Sequence, residues 1–367
     1  MHIENFVIKE FKCFKDFELK DLRQVNIFLG DNNIGKTSIL EALLFDEEPK
    51  AFLYNLHNLI LWKFDSQLAL KTFQRHNFPF EKYYEYFFSR SSNNRGIEFI
   101  YTLKNSQTPK KFKLSIVSSS DLTSFEIQKL KLNLVSLDSQ IPEEILRLQD
   151  GEIVSYSFPN YSSLKGKNAG YIPFIKSNLL YSADLIAFFA SIENSRTKRG
   201  DFIDKLKIFI KDIDDIRIDA TSQDSLSLSI FEKGVDGSIP LATMGDGTIR
   251  LFRILAEIEQ CRGSRLMIDE IDNGLHFSKQ KEFWRVILIA AKENNTQLFI
   301  TTHSHECLVN LQKAINESVE LNYYRDELAC YTIHKNTIKN DIEAFRYDYL
   351  NFDYCINREI ELRGEES

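Results

Sequence analysis

Residues 30–38 read GDNNIGKTS, set between the apolar run VNIFL (25–29) and the helical run ILEALLF (39–45). A strand, a glycine-bearing turn and a helix form the context in which backbone N–H groups wrap a polyphosphate. The spacing Gly30-x4-Gly35-Lys36-Thr37 fits that use. Glycines let the backbone curl, the lysine neutralises β/γ oxygens, and the threonine hydroxyl holds Mg²⁺. Asn32, Asn33 and Ser38 fill the same loop and are counted with it as nucleotide-binding residues.

Upstream, ENFVIKEFKCFKDFEL (4–19) and QVNIFL (24–29) read as short strands feeding the loop, with a helix expected from Lys36 to Phe45. Downstream the character changes. Residues 46–170 carry aromatic helical text (FEKYYEYFF, 80–88) and β-like text (GIEFIYTLKN and KKFKLSIVSSS), which reads as an inserted lobe. From Ser225, SLSLSIF alternates and places Leu226, Leu228 and Ile230 on one strand face, with a hairpin turn in EKGVDGS. RLMID (265–269) and TQLFITT (296–302) are short buried strands. Between them, Phe283, Val286, Ile287 and Ala290 recur at i, i+3, i+4, i+7 on a helix with Ser278 as candidate N-cap.

These strands deliver the remaining chemistry. Asp269 and Glu270 end an apolar strand, where parallel sheets place their ligand groups. Asp269 is the candidate to complete the Mg²⁺ shell through water, and Glu270 the candidate base for an attacking water. Alone, such a pair is an ordinary acidic turn; the phosphate loop changes that. His303 in TTHSHE falls at a third strand end, able to hydrogen-bond a phosphate oxygen or the water, whereas His305, His57, His76 and His334 read as structural. Gly245, Asp246 and Gly247 open a helix in MGDGTIRLFRIL, with Arg250 following, and present free N–H groups to a second anion.

Together and in this order, NNIGKTS, GDG with its following Arg, IDEIDNGLH and TTHSHEC resemble the ABC-type ATPase heads of the SMC, RecF and OLD group. The wording is most similar to the standalone AAA-type ATPases of phage-defence loci, the abortive-infection and PARIS-type ATPase subunits. The C-terminal text from Tyr324 to Gly364 also looks like their closing hairpin and tail. The resemblance implies an α/β fold, an ABC-type P-loop ATPase head with an inserted, mostly helical/β middle lobe. Residues 1–45 and 171–367 would form the two parts of the head and 46–170 the lobe that recognises a partner or trigger.

The resemblance also implies ATP and Mg²⁺ as cofactors, Lys36 and Thr37 as Walker A contacts and Asp269 as the metal residue. Glu270 and His303 become the catalytic pair, and Gly245 to Gly247 the signature loop that closes over ATP held by a second subunit. A homo-oligomer, at least a dimer, is therefore expected. Two positions depart from transporter-type heads: Met244 stands where a serine touches the γ-phosphate, and His276 where an aspartate ends the D-loop. No glutamine is assigned to a Q-loop; Gln67 and Gln74 lie in the broad region.

Composition bounds the use of such an engine. At 367 residues and 43% hydrophobic the chain can bury a large core, and its apolar runs fall far short of the roughly 20 residues that cross a bilayer. The expected setting is cytoplasmic, without a membrane partner. Five cysteines, odd in number and without CxxC spacing, exclude a disulfide framework and a zinc site and are expected to be buried hydrophobes. A net charge of −7 disfavours nucleic acid except at a local patch. Larger OLD proteins carry a TOPRIM nuclease of roughly a hundred residues or more after the ATPase. Residues 304–367 are shorter, and Asp348 and Asp353 form no metal pair. The leading expectation is thus an ATP-hydrolysing sensor or scaffold of an antiviral system, controlling a separately encoded toxic effector, a nuclease, on a phage-derived trigger. A RecF-like repair clamp on DNA is the alternative, and a metabolic or transporter-associated ATPase ranks last.

Overall fold

The computed structural model describes residues 2–45, 55, 59, 96–106, 108–117, 127–136, 139–149, 152–156, 172–176, 183–222 and 225–362. At its centre is a six-stranded sheet in the order β16-β15-β3-β14-β13-β9. These strands are β3 (Val25–Leu29), β9 (Phe174–Ile175), β13 (Arg265–Ile268), β14 (Gln297–Thr301), β15 (Leu328–Asn336) and β16 (Asp341–Asp348). β9, β13, β14, β3 and β15 run parallel, and only β16 turns back, as the hairpin partner of β15.

The middles of the parallel strands are largely apolar because both of their faces are covered. Val25, Ile27, Leu29, Ile268, Leu298 and Ile300 face a core built with α2 (Ala183–Glu193), α3 (Arg196–Phe209), α4 (Asp246–Gln260), α5 (Gln280–Asn294), α6 (His305–Glu317) and α7 (Tyr349–Asn357). The alternate residues Phe28, Met267 and Phe299 face a second core, shared with α1 (Lys36–Ala42) and the N-terminal hairpin of β1 (Ile3–Phe11) and β2 (Phe14–Leu19). Burying an aliphatic side chain of this kind contributes about 1.5–3 kcal/mol, so the two cores lock the sheet from both sides.

That hairpin belongs to a seven-stranded antiparallel sheet, β2-β1-β4-β5-β6-β7-β8, with β4 (Gly96–Leu103), β5 (Lys110–Val117), β6 (Ile127–Ser136), β7 (Ser139–Gln149) and β8 (Glu152–Tyr156). β4 pairs with β1 from Lys9↔Glu98 to Ile3↔Leu103. The β-like text of the middle region therefore extends the N-terminal sheet without a break across the boundary expected at residue 45. The helical text 80–88, together with Gln67 and Gln74, lies outside the described residues.

Four local expectations need correction. Leu228 and Ile230 of β11 (Ser225–Glu232) are buried, but Leu226, next to the turn from β10 (Ile213–Ser222), is 56% exposed because the core ends before it. Ser278 does not cap α5: it sits in a 3-10 turn, Phe277–Lys279, where the His276 ring accepts from its backbone N–H. Four cysteines are buried as expected, yet Cys13 is exposed. Helix α1 closes at Ala42, three residues before its expected end. Among the described residues no helix is long and apolar enough to cross a membrane.

Candidate functional site

The carboxyl ends of β3, β13 and β14 lie side by side, which is where a parallel sheet gathers loop residues from separate parts of the chain. Register keeps these ends level: Phe28 pairs with Thr301, and Ile300 with Ile268. Gly30 leaves β3 with φ +130°, and a Cβ there would stand 2.3 Å from the Ile333 carbonyl oxygen, so only glycine fits. Gly35, with φ +113°, serves as N-cap of α1. Asn33 adopts φ +64°, while Asn32 is exposed on the loop.

Lys36 curls back beneath this loop and donates to the carbonyl oxygens of Gly30 (2.6 Å) and Asp31 (2.7 Å). Its burial lowers the ammonium pKa to about 8, against the opposing pull of Asp269, Asp31 and Glu270. Ser38 holds the Cys13 thiol by a side-chain hydrogen bond, tying the β1–β2 hairpin to the phosphate loop. The same hairpin is pinned to α1 by the ion pair of Lys12 with buried Glu41.

Thr37 donates from its hydroxyl toward the Asp269 carboxylate at 3.1 and 3.3 Å. Two oxygens of one Mg²⁺ octahedron, each about 2.1 Å from the metal, stand close to this far apart, so the pair fits a shared ion. Thr301 completes the arrangement from β14: its hydroxyl donates to Asp269 Oδ1 at 2.6 Å and accepts from the Glu270 backbone N–H at 2.8 Å. Glu270 occupies the left-handed region at φ +49°, a conformation that a non-glycine residue keeps only when its surroundings enforce it.

The enforcement comes from α4. Arg250 is fully buried, and its guanidinium donates to the carbonyl oxygens of Asp269 (2.6 Å), Glu270 (2.8 Å), Ile271 (3.2 Å) and Lys176 (3.4 Å). His303 lies two residues beyond the end of β14. Thr302 shapes its turn by donating to Asp272 Oδ1 (2.5 Å) and accepting from Ser304 N–H (3.1 Å). Burial, reinforced by the Lys36 charge, lowers the His303 pKa from its ordinary value, which favours the neutral ring.

Lys36, Thr37, Asp269, Glu270 and His303 are thus gathered at one sheet end. Gly245, Asp246 and Gly247 stand at the start of α4, packed against the turn that follows β13. Gly247 lies against Gly274 and Leu275, where an added Cβ would come within 2.9 Å of Leu275. Gly245 and Asp246 are exposed, as is Phe277 at 54%. Asp348 caps α7, and Asp353 accepts from Gln312, Asn316 and Asn357, so both are engaged in the terminal packing. Sequence reasoning gave no role to Thr301, Thr302 or Arg250. The paired threonines at a strand end were the available signal for the first two. For Arg250 only its presence after the glycines was visible.

A family model described as "AAA domain, putative AbiEii toxin, Type IV TA system" matches residues 25–308, more than three quarters of the chain. An ATP/GTP phosphatase of Helicobacter pylori is 24% identical over 344 residues, covering 86% of this chain and 89% of that protein. The DNA replication and repair protein RecF of Listeria welshimeri is 38% identical over 64 residues, 17% of either chain. Among solved structures, the SMC head domain from Thermotoga maritima aligns over 95% of this chain and all of its own, at 11% identity and a TM-score of 0.44.

Proposed function

The chain belongs to the AAA domain family described as putative AbiEii toxin of type IV toxin–antitoxin systems and is an ATPase, and from that premise we propose how its residues divide the work. The phosphate loop Gly30–Ser38 wraps the β- and γ-phosphates of ATP, with Lys36 leaving the carbonyls of Gly30 and Asp31 to meet their charge. Thr37 and Asp269 would hold Mg²⁺, which when bound would supply positive charge to the developing phosphate charge. Glu270 accepts a proton from the attacking water as its oxygen bonds to the γ-phosphorus, and the γ-phosphorus–oxygen bond to ADP breaks. Neutral His303 donates a hydrogen bond to a γ-phosphate oxygen.

The observation that carries this reading is the Thr37 hydroxyl at 3.1 Å from the Asp269 carboxylate. It joins the loop after β3 to the strand end of β13, two elements 232 residues apart. The test is phosphate release by wild type, Lys36→Ala and Glu270→Gln, with nucleotide binding measured separately. Lys36→Ala should lose binding, whereas Glu270→Gln should keep it and fall at least 100-fold in turnover. Equal turnover in Glu270→Gln and wild type would remove Glu270 from the reaction.

At the level of the cell, the reading is an antiviral ATPase subunit that acts as sensor or scaffold for a separately encoded effector, released on a phage-derived trigger. Residues 46–170 are the proposed recognition segment, and the Gly245–Gly247 loop, exposed at Gly245 and Asp246, is proposed to close on ATP of a second copy. Support comes from the toxin–antitoxin description of the family and from the exposure of Gly245 and Asp246 at the start of α4. Native mass measurement of complexes purified with the neighbouring gene products tests it: a stoichiometric protein partner is expected, and DNA in its place would point to a repair clamp.

A further inference from the structure

We propose that Arg250 is a positioning residue for Glu270: from α4 its guanidinium holds the turn that aims the Glu270 carboxylate, and it carries that turn along when α4 moves. The inference rests on the reading of Glu270 as the proton acceptor. Its own ground is geometric. Three consecutive carbonyl oxygens, of Asp269, Glu270 and Ile271, converge on one guanidinium at 2.6, 2.8 and 3.2 Å, and a fourth, of Lys176 at the end of β9, joins at 3.4 Å.

Carbonyls pointing inward at one spot repel each other, and a cation with donors spread over a plane resolves this as a compact ammonium does not. The middle residue of the three is Glu270, whose φ of +49° is the one that turns its side chain out of the strand path. Within the turn, Asn273 N–H donates to Glu270 O and Ile271 N–H to Thr301 O, so the guanidinium closes a ring of bonds around the Glu270 backbone. Arg250 makes no substitute for Glu270: it reaches the main chain and acts through it.

The position of Arg250 on α4 gives the contact a second meaning. The exposed Gly245–Asp246 end lies little more than one helical turn before it, and Gly247 and Gly274 bring that end against the same loop that follows Glu270. Because a shift of α4 would strain several short bonds at once, the turn follows the helix instead of parting from it. Whatever docks on Gly245–Gly247 thereby changes the aim of Glu270 without touching the nucleotide that Glu270 serves.

Arg250→Lys and Arg250→Gln, compared with wild type for ATP affinity and turnover, test the proposal. Turnover should drop at least tenfold in both, with affinity held within threefold and Lys no better than Gln, because neither side chain spans three carbonyls. Turnover within twofold of wild type overturns the proposal, as does affinity that falls in step with turnover. A wild type without hydrolysis would instead overturn the ATPase reading on which it rests. Should neither variant fold, amide exchange of the wild type decides: the Ile271 and Asn273 amides should be protected as well as those of β13, and rapid exchange there overturns the clamp.

Discussion

Lys36 sits between two sets of acceptors, the loop carbonyls it now meets and the phosphates it is proposed to meet, and its protonation reports which it has. Burial holds it at about 8, below the ordinary 10.5, and an adjacent polyphosphate raises it again. The bound state therefore carries more protons than the free state. Below about pH 7 the ammonium is present in both, and this group gives affinity no pH dependence. As pH rises through 8 the free site loses its proton, binding must restore it, and affinity falls. Calorimetry on Glu270→Gln at pH 8.5 in buffers of different ionisation enthalpy should show uptake of roughly three quarters of a proton per ATP. Zero uptake would mean that Lys36 stays on Gly30 and Asp31. The residues of the loop were legible in sequence because geometry leaves so little choice: Gly30 cannot carry a Cβ beside Ile333 O. Arg250 was not legible, since its partners are backbone atoms some twenty residues on and leave no trace in side-chain identity.

Among the elements, α1 carries Lys36 and Thr37 yet has only seven residues and no basic residue in its last turn. Its C-terminal carbonyls are satisfied from elsewhere: Arg265, 6% exposed at the start of β13, donates to Leu43 O and Phe45 O, both at 2.8 Å. Replacing it by Leu leaves those two buried oxygens without this donor and should cost about 2–4 kcal/mol. Thermal denaturation should show a clear fall, and ATP affinity should weaken as the far end of α1 loosens; an unchanged melting midpoint would show that water serves the carbonyls equally well. The apolar runs that became β3, β13 and β14 were readable as buried strands. Their order was not, because Val, Ile and Phe say that both faces are covered without saying by which neighbour. Leu226 shows the same limit from the other side: strict alternation continues in sequence to a residue that the core no longer reaches.

For the whole molecule the open question is what meets the loop at the head of α4. Gly245 is exposed, with ordinary backbone angles (φ −60°, ψ 148°) and nothing within 4 Å of where its Cβ would be. Any side chain therefore fits there in the isolated chain, so the glycine answers no packing need within it. The proposed second copy, bringing ATP phosphates onto amides of this loop, would give the reason, and Phe277, exposed at 54%, would offer apolar surface for such a contact. Gly245→Glu separates the two accounts. It should leave melting temperature unchanged and ATP affinity of the monomer within twofold, since Lys36 and Thr37 are untouched. In the Glu270→Gln background, where ATP persists, it should abolish ATP-dependent association, because a carboxylate would face the γ-phosphate of the partner at close range. Light scattering with and without Mg–ATP reads the result. Association that survives the glutamate would place the oligomer contact elsewhere and leave the loop free for a different partner.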